Sequence, residues 1–137
     1  AKARAHARAI SNEMHSGFQA LRQACPMHLG ARFATPALTD SLQANIDRIE
    51  DIWSEARNRF GGNGPYLYGA FTAADAMYLP IVTRFETYGV PVREATRAYM
   101  DTMLAHPAFV EWRTAAFKEE WRIPDYAVGH TLIESYV

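Results

Sequence analysis

A capped and almost uninterrupted apolar segment between Thr72 and Phe85 constrains the fold of this chain most. Thr72 lies three residues before Asp75, where the apolar segment begins, and this Thr-x-x-Asp spacing is typical of a capping box at a helix N-terminus. An aspartate there also suits the positive end of the helix dipole. The apolar side chains that come after it point in nearly every direction around a helix. We therefore expect this helix to be buried, with other helices packed around it.

The ends and interior of this central helix can also be inferred. Gly89 followed by Pro91 predicts where the helix stops. Pro80 lies inside it and removes one backbone hydrogen bond, so we expect a kink there. We assign Thr72 and Asp75 a structural role as N-cap residues, and replacing Asp75 by alanine should cost about 1 kcal/mol if only the cap is lost.

Four further segments have apolar residues at spacings of three and four, the period of an amphipathic helix. They cover residues 1–25, 40–60, 92–105 and 107–122. The tail beyond them has no clear periodicity and is predicted to be extended or a short helix. No pair of β-strands is evident. We expect one all-α domain over residues 1–137, a bundle of about five helices around the buried central helix.

Composition narrows the class of protein. A chain of 137 residues is the size of one domain and can bury roughly two-thirds of its unfolded surface. Its net charge of −1 and dispersed basic residues disfavour binding to nucleic acid or to an anionic membrane. No apolar run approaches the ~20 residues needed to span a bilayer. Cys25 is the single cysteine, which suits a reducing compartment, so we expect a cytoplasmic protein.

Residue types that carry chemistry are scattered along the chain. The five histidines form no spaced ligand set, so no metal site is predicted. No histidine can be identified as a base for Cys25, which is interpreted as a packing residue. The glycine-rich run at Gly61–Gly64 comes after a helix and lacks a Walker lysine, so it is interpreted as a helix end and turn. No catalytic residue is assigned within the chain.

The segment from Gly64 to Asp75, GPYLYGAFTAAD, resembles the loop and capped core helix of cytosolic glutathione S-transferases. In that family a Ser/Thr-x-x-Asp box opens the central helix of the all-helical C-terminal domain. His106-Pro107 and Trp112 resemble a later family pattern, and the likeness extends to about Tyr126. It implies the same helical fold. It also implies that glutathione is a co-substrate of the parent enzyme and that the chain holds no resident cofactor.

The chain departs from the family because it shows no βαβ pattern for the thioredoxin-like N-terminal domain. In the family that domain binds glutathione and supplies the residue that acts on its thiol. The resemblance therefore implies that this chain corresponds to the second half of a transferase, with the thioredoxin-like domain as its partner. We expect no catalysis by this half alone.

In the family the first helix of this domain lines the cleft for the electrophilic substrate. Carried over, the resemblance places Met14, His15, Phe18 and Arg22 at or near that cleft. Met14 and Phe18 could form an adaptable apolar wall, while His15 and Arg22 could hydrogen-bond an acidic peptide or a leaving anion. The alternative is that Met14 and Phe18 are core residues and that His15 and Arg22 bond to other helices or to the absent domain.

Two classes of function remain open. In the first, the chain contributes to the electrophile pocket and to the interface of a homodimeric glutathione transferase that acts on a small electrophile. In the second, it is a non-catalytic interaction module, because the same helical fold resembles appendages of translation factors and aminoacyl-tRNA synthetases. Both hypotheses predict an exposed apolar patch that a partner covers. A third possibility is a core domain with no activity of its own.

Overall fold

The computed structural model of the chain describes residues 1–121 and 129–137. Within these ranges it contains six helices and one antiparallel pair of strands. In chain order they are α1 (Lys2–Ser16), α2 (Gln19–Ala24), β1 (Ala31–Phe33), α3 (Asp40–Phe60), α4 (Ala73–Thr87), α5 (Glu94–Leu104), α6 (Pro107–Ala116) and β2 (Leu132–Ser135). The prediction of an all-α helical bundle is confirmed, with a small sheet added to it.

Helix α4 is the buried centre of the bundle. Its buried residues include polar ones, among them Thr83 and Thr87, as expected for a helix with neighbours on all sides. Tyr78 is fully buried, lies edge-on to Trp53 of α3, and donates a hydrogen bond of 3.0 Å to the carbonyl of Ile10 in α1. The prediction of a buried central helix is therefore confirmed. The helix continues through Pro80, and the kink there stays a prediction.

The carboxylate of Asp75 is completely buried and accepts four hydrogen bonds. One oxygen accepts from the Leu67 N–H at 3.0 Å and from the Tyr99 hydroxyl at 3.1 Å. The other accepts from the N–H and the hydroxyl of Thr72 at 2.8 and 2.9 Å, within the capping box. Burial, followed by the nearby carboxylate, raises the pKa of Tyr99 well above its usual value. The Tyr99 hydroxyl therefore keeps its proton and remains a donor.

The prediction of one helix over residues 1–25 is wrong at Gly17. Helix α1 ends there, where the Gly17 N–H bonds to the Glu13 carbonyl. Phe18 then takes a left-handed conformation with a φ of 62°, and α2 begins at the next residue. A glycine after the last helical residue is a common helix end, so the sequence carried a signal for this break. The turn at Phe18 buries its ring in the core, where it is 7% exposed.

The absence of a strand pair was also predicted wrongly. Ala31 pairs with Ser135 and Arg32 with Glu134, and the register shifts before Phe33. These strands have three and four residues and come from opposite ends of the chain, so neither has enough alternating positions for a periodicity signal.

The sixth helix is shorter than expected. It ends at Ala116, before Trp121, whose side chain is 86% exposed. After Ala116 the backbone turns more tightly, since the N–H groups of Lys118 and Glu119 bond to the carbonyls three residues before them. The predicted end of this helical segment at residue 122 and the end of the resemblance near Tyr126 lie outside the described residues.

We predict that replacing Asp75 by alanine destabilises the domain by about 3 kcal/mol or more, because donors from three elements lose their buried acceptor. This exceeds the cost of an isolated cap, which is about 1 kcal/mol. Denaturant unfolding followed by circular dichroism measures the difference. Asp40→Ala is the matched control, since Asp40 is an exposed acidic residue in the first turn of α3 and should change stability little. Wild-type stability of the Asp75 variant would show that the bundle does not depend on this carboxylate.

Candidate functional site

The four residues predicted to lie at the substrate cleft meet where α1 ends and α2 begins. Met14 and Phe18 are 5% and 7% exposed and belong to the hydrophobic core. His15 is exposed, and Arg22 is partly buried. The burial of Met14 and Phe18 agrees with the alternative that they are core residues. The assignment of all four to a cleft stays a prediction.

Arg22 binds the C-terminal end of α1. Its Nε donates to the carbonyl of Gly17 at 2.9 Å, and one Nη donates to the carbonyls of Met14 and His15. A cation at this position satisfies carbonyls that have no helical partner and interacts favourably with the helix dipole. The other Nη forms no hydrogen bond within the described part of the chain, so Arg22 keeps donors for a further contact. Arg22 thus holds the turn in place and still has donors that a ligand could bind.

His15 extends from this fixed turn toward solvent. Because its backbone carbonyl is held by Arg22, the position of its Cα is set by the end of α1. Its imidazole makes no hydrogen bond or ion pair among residues 1–121 and 129–137. A neutral imidazole offers one donor and one acceptor, and an imidazolium offers two donors. The turn therefore carries an exposed imidazole and a guanidinium with an unused Nη.

Helix α1 also carries two exposed arginines closer to its N-terminus. Arg4 and Arg8 are exposed, and neither forms a hydrogen bond or an ion pair within the described ranges. Ala5 and Ala9 are also exposed on this helix. We call Arg4, Ala5, Arg8 and Ala9 the outer face of α1. Its small side chains would allow another backbone to approach closely.

An apolar groove lies between α4, α5 and α6, at a place that the sequence interpretation did not identify. Its volume is about 260 Å³, and its rim includes Phe71 and Trp112, which are 41% and 48% exposed. Phe71 stacks on the ring of His106 at a centroid distance of 4.2 Å. Leu79 and Met103 contribute to its lining. The helical period of α6 places Trp112 on an apolar face, but it does not reveal whether another part of the chain covers that face.

Other kinds of chemistry find little support in the described residues. Cys25 is fully buried, and burial raises the pKa of its thiol to about 12, so the reactive thiolate is disfavoured at neutral pH. No group of three or more His, Cys, Asp or Glu side chains in residues 1–121 and 129–137 could hold a metal ion. No helix in the same ranges is both long and apolar enough to cross a bilayer.

A match to a known protein family spans most of the residues described above. A family model described as the glutathione S-transferase C-terminal domain matches residues 5–115, from the first turns of α1 to the end of α6. The matched range includes the capping box and all four residues of the predicted cleft. No curated protein sequence gives a significant match. The chain therefore belongs to the family of glutathione S-transferase C-terminal domains.

Proposed function

We propose that the chain is the helical half of a glutathione S-transferase-like enzyme and forms one wall of its electrophile pocket. The observation that carries the proposal is the family membership over residues 5–115. In the reaction, the glutathione thiolate forms a bond to an electrophilic carbon, and the leaving group departs with its bonding electron pair. A thioredoxin-like domain would bind glutathione and activate its thiol, so the helical half alone would not catalyse.

The turn between α1 and α2 is the part of the chain that would meet the electrophile. The unpaired Nη of Arg22 and the exposed imidazole of His15 are suited to bind the leaving anion or a polar substituent. Met14 and Phe18 lie beside them and would provide apolar contact where the substrate approaches the core. Because Arg22 also holds three carbonyls at the end of α1, its contribution to binding cannot be separated from its structural role by simple removal.

The apolar groove would receive the thioredoxin-like domain. Exposed aromatic side chains such as Phe71 and Trp112 are typical of surfaces that a partner covers. The outer face of α1 would serve a different contact, the interface of a homodimer. The alternative function, a non-catalytic interaction module, would use the groove for a protein partner and would require no cleft at His15.

We predict that His15→Ala, made in the protein that includes its thioredoxin-like half, raises the KM for a chloronitrobenzene electrophile severalfold and leaves the KM for glutathione unchanged. The reason is that His15 would contact the electrophile rather than the tripeptide. Steady-state kinetics with each substrate varied in turn measures both constants. Asn58→Ala, an exposed residue of α3, is the control and should change neither constant.

Two results would contradict this assignment. An unchanged KM for the electrophile in the His15 variant would remove His15 from the pocket. An absence of glutathione-dependent activity in the wild-type protein, across several classes of electrophile, would favour the interaction module.

We also predict that Trp112→Arg weakens association with the thioredoxin-like half by at least tenfold, because a charge would enter the apolar groove. The two halves are expressed separately, and their association is measured by isothermal titration calorimetry. Leu38→Arg is the matched control, since Leu38 has a similar exposure of 41% but lies outside the groove. Equal affinities for the two variants would place the domain interface elsewhere. Because Trp112 and Leu38 are each about half-buried, both replacements should lower the thermal midpoint of the helical half modestly, and the measurement is made at a temperature where both variants stay folded.

A further inference from the structure

A second cavity lies between the two-stranded sheet, the C-terminal half of α4 and α6. Its volume is about 240 Å³, and its lining includes the side chains of Arg32 and Arg113 together with the rings of Phe109, Phe117 and Tyr136. None of the residues predicted for the electrophile cleft lines it. The cavity is therefore separate from the turn between α1 and α2, and it shares only Phe109 with the lining of the apolar groove.

Arg32 enters this cavity wall from strand β1 with unsatisfied donors. Its Nε is buried without a hydrogen-bond partner. Glu134 is its neighbour across the strands, but no ion pair of 4 Å or less joins the two within the described residues. Burial, followed by the Glu134 carboxylate, raises the pKa of Tyr136, and the positive charge of Arg32 opposes this rise. The Nε has almost no accessible surface, so a ligand in the cavity would meet the two Nη groups of Arg32, which form no hydrogen bond within the described residues. An anion would offer acceptors to these Nη donors.

Arg113 brings a second guanidinium to the same cavity. It lies 5.4 Å from the centroid of the Phe109 ring, a cation–π arrangement that holds it at the wall. No carboxylate within residues 1–121 and 129–137 forms an ion pair with it. The acidic residue of the cavity wall, Glu86, is instead paired with Arg97 at 2.8 Å.

The charge balance of the cavity region is positive. Among the residues that the structure describes, Arg32, Arg97 and Arg113 are set against Glu86 and Glu134, which leaves an excess of one positive charge. The aromatic rings supply an apolar surface beside these charges. Small-molecule sites combine these same elements, a mostly apolar lining and a few polar groups that fix orientation.

We infer that this cavity binds a small organic anion, with its carboxylate at Arg32 and Arg113 and its apolar body against Phe109 and Phe117. A cavity of 240 Å³ is smaller than the ~300–1,000 Å³ of pockets for drug-sized ligands, so the ligand is an acid of about the size of benzoate. Guanidinium groups are suited to carboxylates because their planar donors can bind both oxygens.

The test measures the binding of benzoate and of benzyl alcohol to the full chain by ligand-observed NMR titration, without glutathione. The two probes share a ring and differ in charge. We expect benzoate to bind at least tenfold more tightly, and its affinity to fall as salt is raised. Equal affinities for the two probes would overturn the inference. Because glutathione is absent, neither result bears on the transferase proposal.

Substitutions then locate the site. Arg32→Met and Arg113→Met should each weaken benzoate binding about tenfold, whereas Arg59→Met, on the exposed side of α3, should not change it. Glu86→Gln should strengthen binding, because it removes the acidic group of the cavity wall. A folding defect would weaken binding and would not strengthen it, so this gain distinguishes the proposed site from general damage. Unchanged affinity in both arginine variants, or weaker binding by the Glu86 variant, would overturn the inference.

Discussion

The buried carboxylate of Asp75 is the interaction on which the bundle depends. A charge removed from water is costly unless it is hydrogen-bonded, and here one carboxylate accepts four donors. Those donors come from the loop before α4, from the N-terminus of α4 and from α5. The negative charge therefore joins three segments at one point and also complements the dipole of α4. Because α1, α5 and β1 pack against α4, the position of this helix determines theirs.

The hydrogen bonds that Asp75 makes within its own helix turn could be predicted from the sequence. Those that it makes with more distant residues could not. The Thr-x-x-Asp spacing predicts the capping box, since both partners lie within one turn. The Leu67 N–H and the Tyr99 hydroxyl cannot be inferred, because their approach to Asp75 depends on how the loop and α5 pack. The strand pair was missed for a similar reason, since each strand acquires its partner from the other end of the chain. The helix break at Gly17 was different. The glycine itself was a local sign of a helix end, but the apolar period continues across it and favoured one long helix.

The candidate site, too, could be predicted from the sequence only in part. Family resemblance predicts which residues belong to the first helix of a cleft, but only the structure shows that Arg22 holds the end of that helix. The helical period over residues 107–122 includes both Phe109 and Trp112, but it cannot distinguish a face covered by the chain itself, as at Phe109, from one left exposed, as at Trp112. The cavity at Arg32 was invisible in the sequence, because it requires the strand pair that periodicity could not detect.

The strand pair also has a consequence for the order of folding. Contacts between distant parts of a chain form slowly, because a long loop must close before they stabilise anything. Helices α1 to α5 contact neighbours that are closer in sequence, so the bundle can assemble while β1 still lacks its partner. Until β2 arrives, the backbone of Ala31–Phe33 presents a short unpaired edge. We therefore expect β2 to pair after the helices have packed, and its pairing covers this edge of β1.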